Sequence, residues 1–210
     1  MQVERIDTMG SDLTVVNSAR VSFSRHSDEL NRSDEKLIAY LAKHGHWSPF
    51  SHCFVQFKIN APIFVARQLQ KHQVGLAWNE ESRRYIDDEP EVYSPPEWRR
   101  RAADKKQGSM LEPVPSQQVA QSIAKELNDK AIDCYRRLLK LSVCPEQARM
   151  VLPQSALTNW YWSGSLYAFS RVCNLRLNDD AQAETREIAQ GISDHCSVTF
   201  PISWKYLTKC

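Results

Sequence analysis

Apolar and polar side chains alternate along residues 53–59, with Cys53, Val55, Phe57 and Ile59 on one face and Phe54, Gln56 and Lys58 on the other. A period of two predicts a half-buried strand there. Elsewhere the period is three to four. Ser11 is placed to cap a helix running to about Ala19. Ser33, with Asp34 and Glu35 behind it, opens a second whose buried stripe is Leu37, Ile38 and Leu41, ended by Gly45. Asn60 and Pro62 start a helix over 62–72, whose spacing puts Phe64, Gln68, Lys71 and His72 on adjoining lines of one face. From Ser116 a long helix carries Val119, Ile123, Leu127, Ala131, Cys134, Leu138 and Leu141 at steps of three or four, which predicts a core-facing seam. Pro145 restarts a short helix containing Arg149, and Pro153 stops it. Bulky and β-branched residues predict a strand over 156–162, after which Ser165 leads a helix through Arg171 toward Arg176, and a last helix covers 180–196. Residues 86–115, with prolines at 90, 95, 96, 113 and 115, read as an irregular excursion.

No repeat, linker or low-complexity tract interrupts this order, and 210 residues suit one core, so a single α+β domain over 1–210 is expected. Helices packed on a small, mainly antiparallel sheet satisfy the pattern. A net charge of +2, with 25% charged and 42% hydrophobic residues, names neither nucleic acid nor membrane as a partner. The start of the chain has no signal-like or transit-like character and no apolar run could span a bilayer, so a cytosolic protein is expected. Six scattered cysteines form no C-x-x-C pair and read as reduced thiols. His44, His46 and His52 are interrupted by Trp47, Pro49 and Phe50, and no metal site is expected.

Polar chemistry concentrates between Gln68 and Tyr85: Gln68, Lys71, His72, Gln73, Asn79, Glu80, Glu81, Ser82, Arg83 and Arg84. Lys71 and the Arg83/Arg84 pair suit a ligand with phosphate, because a guanidinium fork can hold two oxygens at once. The alternative is a solvated loop whose acids and arginines pair with each other. Arg149 and Arg176 stand in apolar sequence surroundings, which predicts buried cations needing an anionic partner, either a ligand or an acid such as Asp179.

The segments HGHWSPFSH (44–52), APIFVARQ (61–68), KHQ with NEESRRY (71–85), ARMVLP (148–153) and NLR followed by AQ (174–182) resemble, in order and over nearly the whole chain, the flavin-dependent thymidylate synthase family. The resemblance implies that family's fold and the reductive methylation of dUMP to dTMP, with methylenetetrahydrofolate as carbon donor, NADPH as reductant and FAD as hydride carrier. It also implies a homotetramer with active sites between subunits. By position it assigns Gln68, Glu80, Glu81, Ser82, Arg83, Arg84 and Arg149 to the nucleotide, and Arg176 to activation of the uracil ring. Ser22, His46, Ser48, Lys71, His72, Gln73, Asn79, Glu80, Ser165, Tyr167 and Arg171 fall to FAD.

The family signature, Arg-His-Arg followed by seven residues and Ser, is here Lys71-His72-Gln73 followed by eight residues before Ser82. Lysine keeps a charge but loses the fork, and Arg171 with Tyr167 is placed to replace lost contacts. The same chemistry on UMP, a hydroxymethylated product, or a non-catalytic nucleotide- or RNA-binding descendant are the competing expectations. The basic stretch 98–106 reads as solvated, Trp160 to Trp162 as core or interface aromatics, and Cys173 as a buried thiol, while His195 has no evident partner.

Overall fold

The first element is one the hydropathy pattern does not announce: β1 (Gln2–Met9), most of whose residues are exposed. α1 (Asp12–Arg20) follows as expected from Ser11, whose N–H donates to Thr14 Oγ1 at 3.0 Å. α2 (Arg32–Lys43) starts before Ser33, because Asn31 is the better cap. Its Oδ1 accepts from Ser33 N at 2.8 Å while Asp34 Oδ2 accepts from Asn31 N at 2.9 Å, a reciprocal box that satisfies two helix-end donors. Ile38 and Leu41 are buried, and Gly45 leaves the helix with φ +69°.

The alternating stretch forms β2 (Phe54–Pro62), with Cys53, Val55, Phe57 and Ile59 all buried. The strand runs on to Pro62, and α3 (Ile63–Leu69) is shorter than the expected 62–72. Its N-terminal backbone is claimed by another strand: Ile63 N donates to Ala156 O at 2.9 Å, and Asn60 Nδ2 to Asn159 Oδ1 at 3.0 Å. At its other end α3 stops at Leu69, so Lys71 and His72 lie beyond the helix, in the turn into β3 (Leu76–Glu80). The excursion contains a small antiparallel pair, β4 (Arg99–Arg101) and β5 (Ser109–Pro113). Then come α4 (Gln117–Lys140), α5 (Pro145–Ala148), β6 (Leu157–Ser165), α6 (Leu166–Arg176), α7 (Ala183–Thr199) and α8 (Pro201–Leu207). The final helix is not evident in the sequence, and α7 starts and ends three residues later than expected.

The sheet order is β1-β2-β6-β3. Hydrogen bonds from Leu166 N to Cys53 O and from Ile63 N to Ala156 O run β2 antiparallel to β6. Those from Ser165 N to Gly75 O and Glu81 N to Asn159 O do the same for β3. The fold is α+β, as expected. The structure is a computed structural model describing residues 1–103 and 109–208, so residues 104–106 of the basic stretch, and Cys210, lie outside the described residues.

The backbone divides into two units, one of residues 1–59, 70–79 and 161–210, the other of residues 60–69 and 80–160. In the first, Phe169 of α6 meets Phe57 edge-on at 5.1 Å and Trp162 at 5.3 Å, all three fully buried. Burying a side chain of that size stabilises by about 1.5–3 kcal/mol. Gly75 (φ +77°) turns the chain into β3, and a Cβ at Gly164 would stand 2.5 Å from Gly75 O and 2.5 Å from Leu76 Cδ2, so only glycine fits there. The buried Asp12 carboxylate accepts from Ile202 N at 2.9 Å and Ser203 N at 2.8 Å, fixing the start of α8.

The second unit buries Val65, Leu69, Ile132, Tyr135, Ala148 and Trp160. Here the seam expected on α4 is overturned: Val119, Ile123, Leu127 and Leu141 are 58–76% exposed, and only Ile132 and Tyr135 of the helix are buried. The period marks a genuine apolar stripe, but the chain's own core does not cover it.

Candidate functional site

In the second unit, the end of β3 and the residues after it line a cavity of about 560 Å³ with Arg67, Arg149, Gln154 and Thr158. Glu80 is gripped there by Arg67, Nη1 to Oε2 at 3.0 Å and Nη2 to Oε1 at 3.1 Å, and Thr158 Oγ1 donates to the same carboxylate at 3.0 Å. Asn159 Nδ2 donates to Glu81 Oε2 at 2.8 Å, and Arg83 lies 3.6 Å from Glu81 Oε1 and 2.9 Å from Asp88 Oδ1. The internal-pairing alternative is thus correct for Glu80, Glu81 and Arg83.

Arg84 and Arg149 differ. Arg84 Nε donates to Ser82 Oγ at 3.2 Å and Arg149 Nε to Glu146 O at 3.2 Å, but neither guanidinium meets a carboxylate among the described residues. Two forks and a serine hydroxyl on one cavity, without an acid to neutralise them, make a fitting cradle for a phosphate. The sequence expectation that Arg149 is buried is corrected: its helical turn leaves it exposed, beside Met150 at 80% exposure. Gln68 is half-buried on α3 and is not among the cavity's walls.

In the first unit α6 carries the cationic groups. Ser165 is buried and its Oγ accepts from Ala168 N at 3.2 Å, so the hydroxyl starts the helix. Leu166, Ala168, Phe169, Ser170, Val172 and Cys173 are buried, whereas Tyr167 and Arg176 are half-buried and Arg171 is exposed. Arg176 Nε donates to His72 Nε2 at 3.0 Å. Burial, then the charges of Arg176 and Arg171, pulls the His72 pKa below its ordinary value of 6.5, and burial lowers that of Arg176. Asp179, the acid considered for Arg176, instead faces Arg186, whose Nη2 donates to Asp179 O at 2.5 Å.

Lys71 and Arg171 have no carboxylate partner among the described residues. Gln73 is exposed and its carbonyl accepts from Leu76 N at 3.2 Å, closing the turn that holds the additional residue. Ser22, His46, Ser48 and Asn79 are exposed. Tyr167 faces Trp47 with ring centroids 6.4 Å apart, an aromatic neighbour that the sequence does not single out. Arg67, Thr158 and Asn159 are likewise missed by the sequence: nothing local joins Thr158 to Glu80, which lies 78 positions away.

Other features resolve as structure. Trp160 and Trp162 are buried, and Cys173 is buried with Sγ 3.5 Å from Ala189 O. His195 Nε2 lies 3.2 Å from Val3 O. In the basic stretch Arg100 pairs with Glu112 at 3.4 Å. Among the described residues no group of three or more His, Cys, Asp or Glu could hold a metal ion, and no helix is long and apolar enough to cross a membrane.

Residues 5–202 match the family model described as thymidylate synthase complementing protein (Thy1). The flavin-dependent thymidylate synthase of Thermus thermophilus is 37% identical over 202 residues, covering 96% of this chain and 73% of the relative. That of Thermosipho africanus is 35% identical, covering 97% and 91%. Among solved structures, the UMP/dUMP methylase PolB of Streptomyces cacaoi bound with 5-Br dUMP superposes with a TM-score of 0.86 at 30% identity, covering 98% of this chain and 93% of that one. Its structure with 5-Br UMP gives the same TM-score at 27% identity, covering 98% and 92%.

Proposed function

Because the chain belongs to the flavin-dependent thymidylate synthase family, we propose that it converts dUMP to dTMP by reductive methylation in the cytosol. Methylenetetrahydrofolate donates the carbon and NADPH the reducing equivalents. The observation that carries the reading is the pair of acid-free guanidiniums, Arg84 and Arg149, with Ser82 on one cavity. They take the nucleotide phosphate. Glu80, Glu81 and Arg83, tied to Arg67, Thr158, Asn159 and Asp88, hold the walls of that cavity in shape. The family resemblance also assigns Gln68, on α3 outside the walls of that cavity, to the nucleotide. Arg176 serves the ring: hydride addition pushes negative charge onto N3 and the neighbouring carbonyls of the pyrimidine, and a fixed guanidinium stabilises that charge.

FAD, when bound, supplies the hydride chemistry. The first unit suits such a group, since Lys71 and Arg171 are cations without acid partners among the described residues and Tyr167 with Trp47 offers aromatic surface. Lys71, His72, Gln73 and Asn79, with Arg171 and Tyr167, would hold it, and the family resemblance assigns the exposed Ser22, His46 and Ser48 to it as well. Ser165 contributes by starting α6 in the right place.

The exposed stripe of α4 supports assembly into a homotetramer with sites shared between subunits, and the family match across residues 5–202 supports one functional domain. UMP is the second reading, favoured by the similarity to a UMP/dUMP methylase. The test is growth rescue of a thymidine-requiring bacterium, followed by tritium release from labelled dUMP and UMP with mass analysis of the product. The wild-type chain rescues, and Arg176→Ala lowers turnover by about 10²–10³. A soluble protein that neither binds FAD nor rescues growth overturns the proposal.

A further inference from the structure

We infer that His72 is a positioning residue whose unprotonated Nε2 aims the Arg176 guanidinium at the pyrimidine. The inference rests on the assignment of Arg176 above. Arg176 Nε donates to His72 Nε2 at 3.0 Å, so this nitrogen is an acceptor and the imidazole proton sits on Nδ1. Anchoring Nε leaves the Nη1/Nη2 edge, which meets no protein acceptor among the described residues, as the face presented to a ligand.

The choice of residue has a physical logic. A carboxylate would hold the guanidinium more firmly, but it would cancel the positive charge needed to stabilise charge developing on the ring. A neutral imidazole fixes direction and leaves the charge intact. The charged groups acting on His72 are Arg176 and Arg171, both cations, and the imidazole is half-buried. Protonation would add a third positive charge and remove the acceptor, releasing Arg176. Activity is therefore lost on acidification through the His72 titration. Stability follows the same sign: below about pH 6.5 the unfolded chain binds the proton more readily, so stability falls with pH until the lower folded-state pKa is passed.

The test uses the full FAD-loaded chain and compares His72→Leu, which has no acceptor, with His72→Gln, which keeps a neutral one, and with Arg176→Ala. Kinetics are measured from about pH 5 to 8, and the wild-type tautomer is read directly by histidine ¹⁵N NMR, which needs no variant to fold. Expected are a kcat loss of about 10–100-fold in His72→Leu that saturating FAD does not restore, substantial recovery in His72→Gln, and disappearance of the acid limb in that variant. An Nε2-protonated imidazole overturns the inference. So does a His72→Gln variant as slow as His72→Leu, or a His72→Leu variant whose kcat is restored by saturating FAD. Full activity of His72→Leu beside an inactive Arg176→Ala overturns it alone. An active Arg176→Ala overturns the assignment of Arg176 and this inference with it.

Discussion

α4 and α6 invert the usual relation between pattern and burial. α4 has 24 residues and a regular apolar period, yet Val119, Ile123, Leu127 and Leu141 stand in the open. α6 has 11 residues and a weaker period, yet six of them are buried, including two small polar or sulfur side chains, Ser170 and Cys173. Periodicity states that a face wants cover; it does not state who supplies it. α6 is covered by its own unit and so holds Arg171 and Arg176 on a rigid support. α4 is a helix whose apolar stripe its own chain leaves uncovered, the face that the proposed assembly would bury.

Breaking the support of α6 gives the largest effect. Phe169→Ala removes a fully buried ring packed on Phe57 and Trp162 and costs about 3–5 kcal/mol in urea unfolding. A loss below about 1 kcal/mol would mean that α6 is not the rigid element described. Gly164→Ala comes next. Its Cβ meets Gly75 O and Leu76 Cδ2, and overpacking of this kind costs about 1–3 kcal/mol, read as a lower midpoint. The smallest effect on the chain itself belongs to α4. Ile123→Glu combined with Leu127→Glu changes the stability of the isolated chain by about 0.5 kcal/mol or less, but lowers the particle mass measured by light scattering. An unchanged mass would show that the stripe faces water and erase the contrast between the helices.

Residue pattern reveals what depends on neighbours in sequence. The β2 face, the Ser11 and Ser165 starts and the approach of α6 to Arg176 follow from local spacing and capping. β1 escapes because its residues are mostly exposed and carry no alternating core face. α3 reads one residue too long at its start, where Asn60 and Ile63 bond to Asn159 and Ala156, and three too long at its end, where residues 70–72 turn toward β3 in spite of their helix-compatible spacing. At the site, the density of polar groups after Gln68 is legible, while its division into paired and acid-free cations is not. That division depends on Arg67, Thr158 and Asp88 reaching Glu80 and Arg83 in space. The burial expected of Arg149 fails for the reason the α4 seam fails: apolar sequence neighbours do not guarantee apolar surroundings.

The bond from Asp12 to the start of α8 spans 190 positions, and it sets the order in which the molecule can be finished during synthesis. Asp12 of α1 emerges early, but its carboxylate has no helix to receive until residues 201–207 leave the ribosome. Residues 80–160 form an uninterrupted stretch of the second unit and are all made before residues 161–210 can complete the first. A contact of this range is slow to close, so the nascent chain waits with Asp12 unclasped and the aromatic centre around Phe57 incomplete. Ribosome-stalled chains lacking α8 should therefore be cut by protease in α1, and emergence of α8 should end that sensitivity.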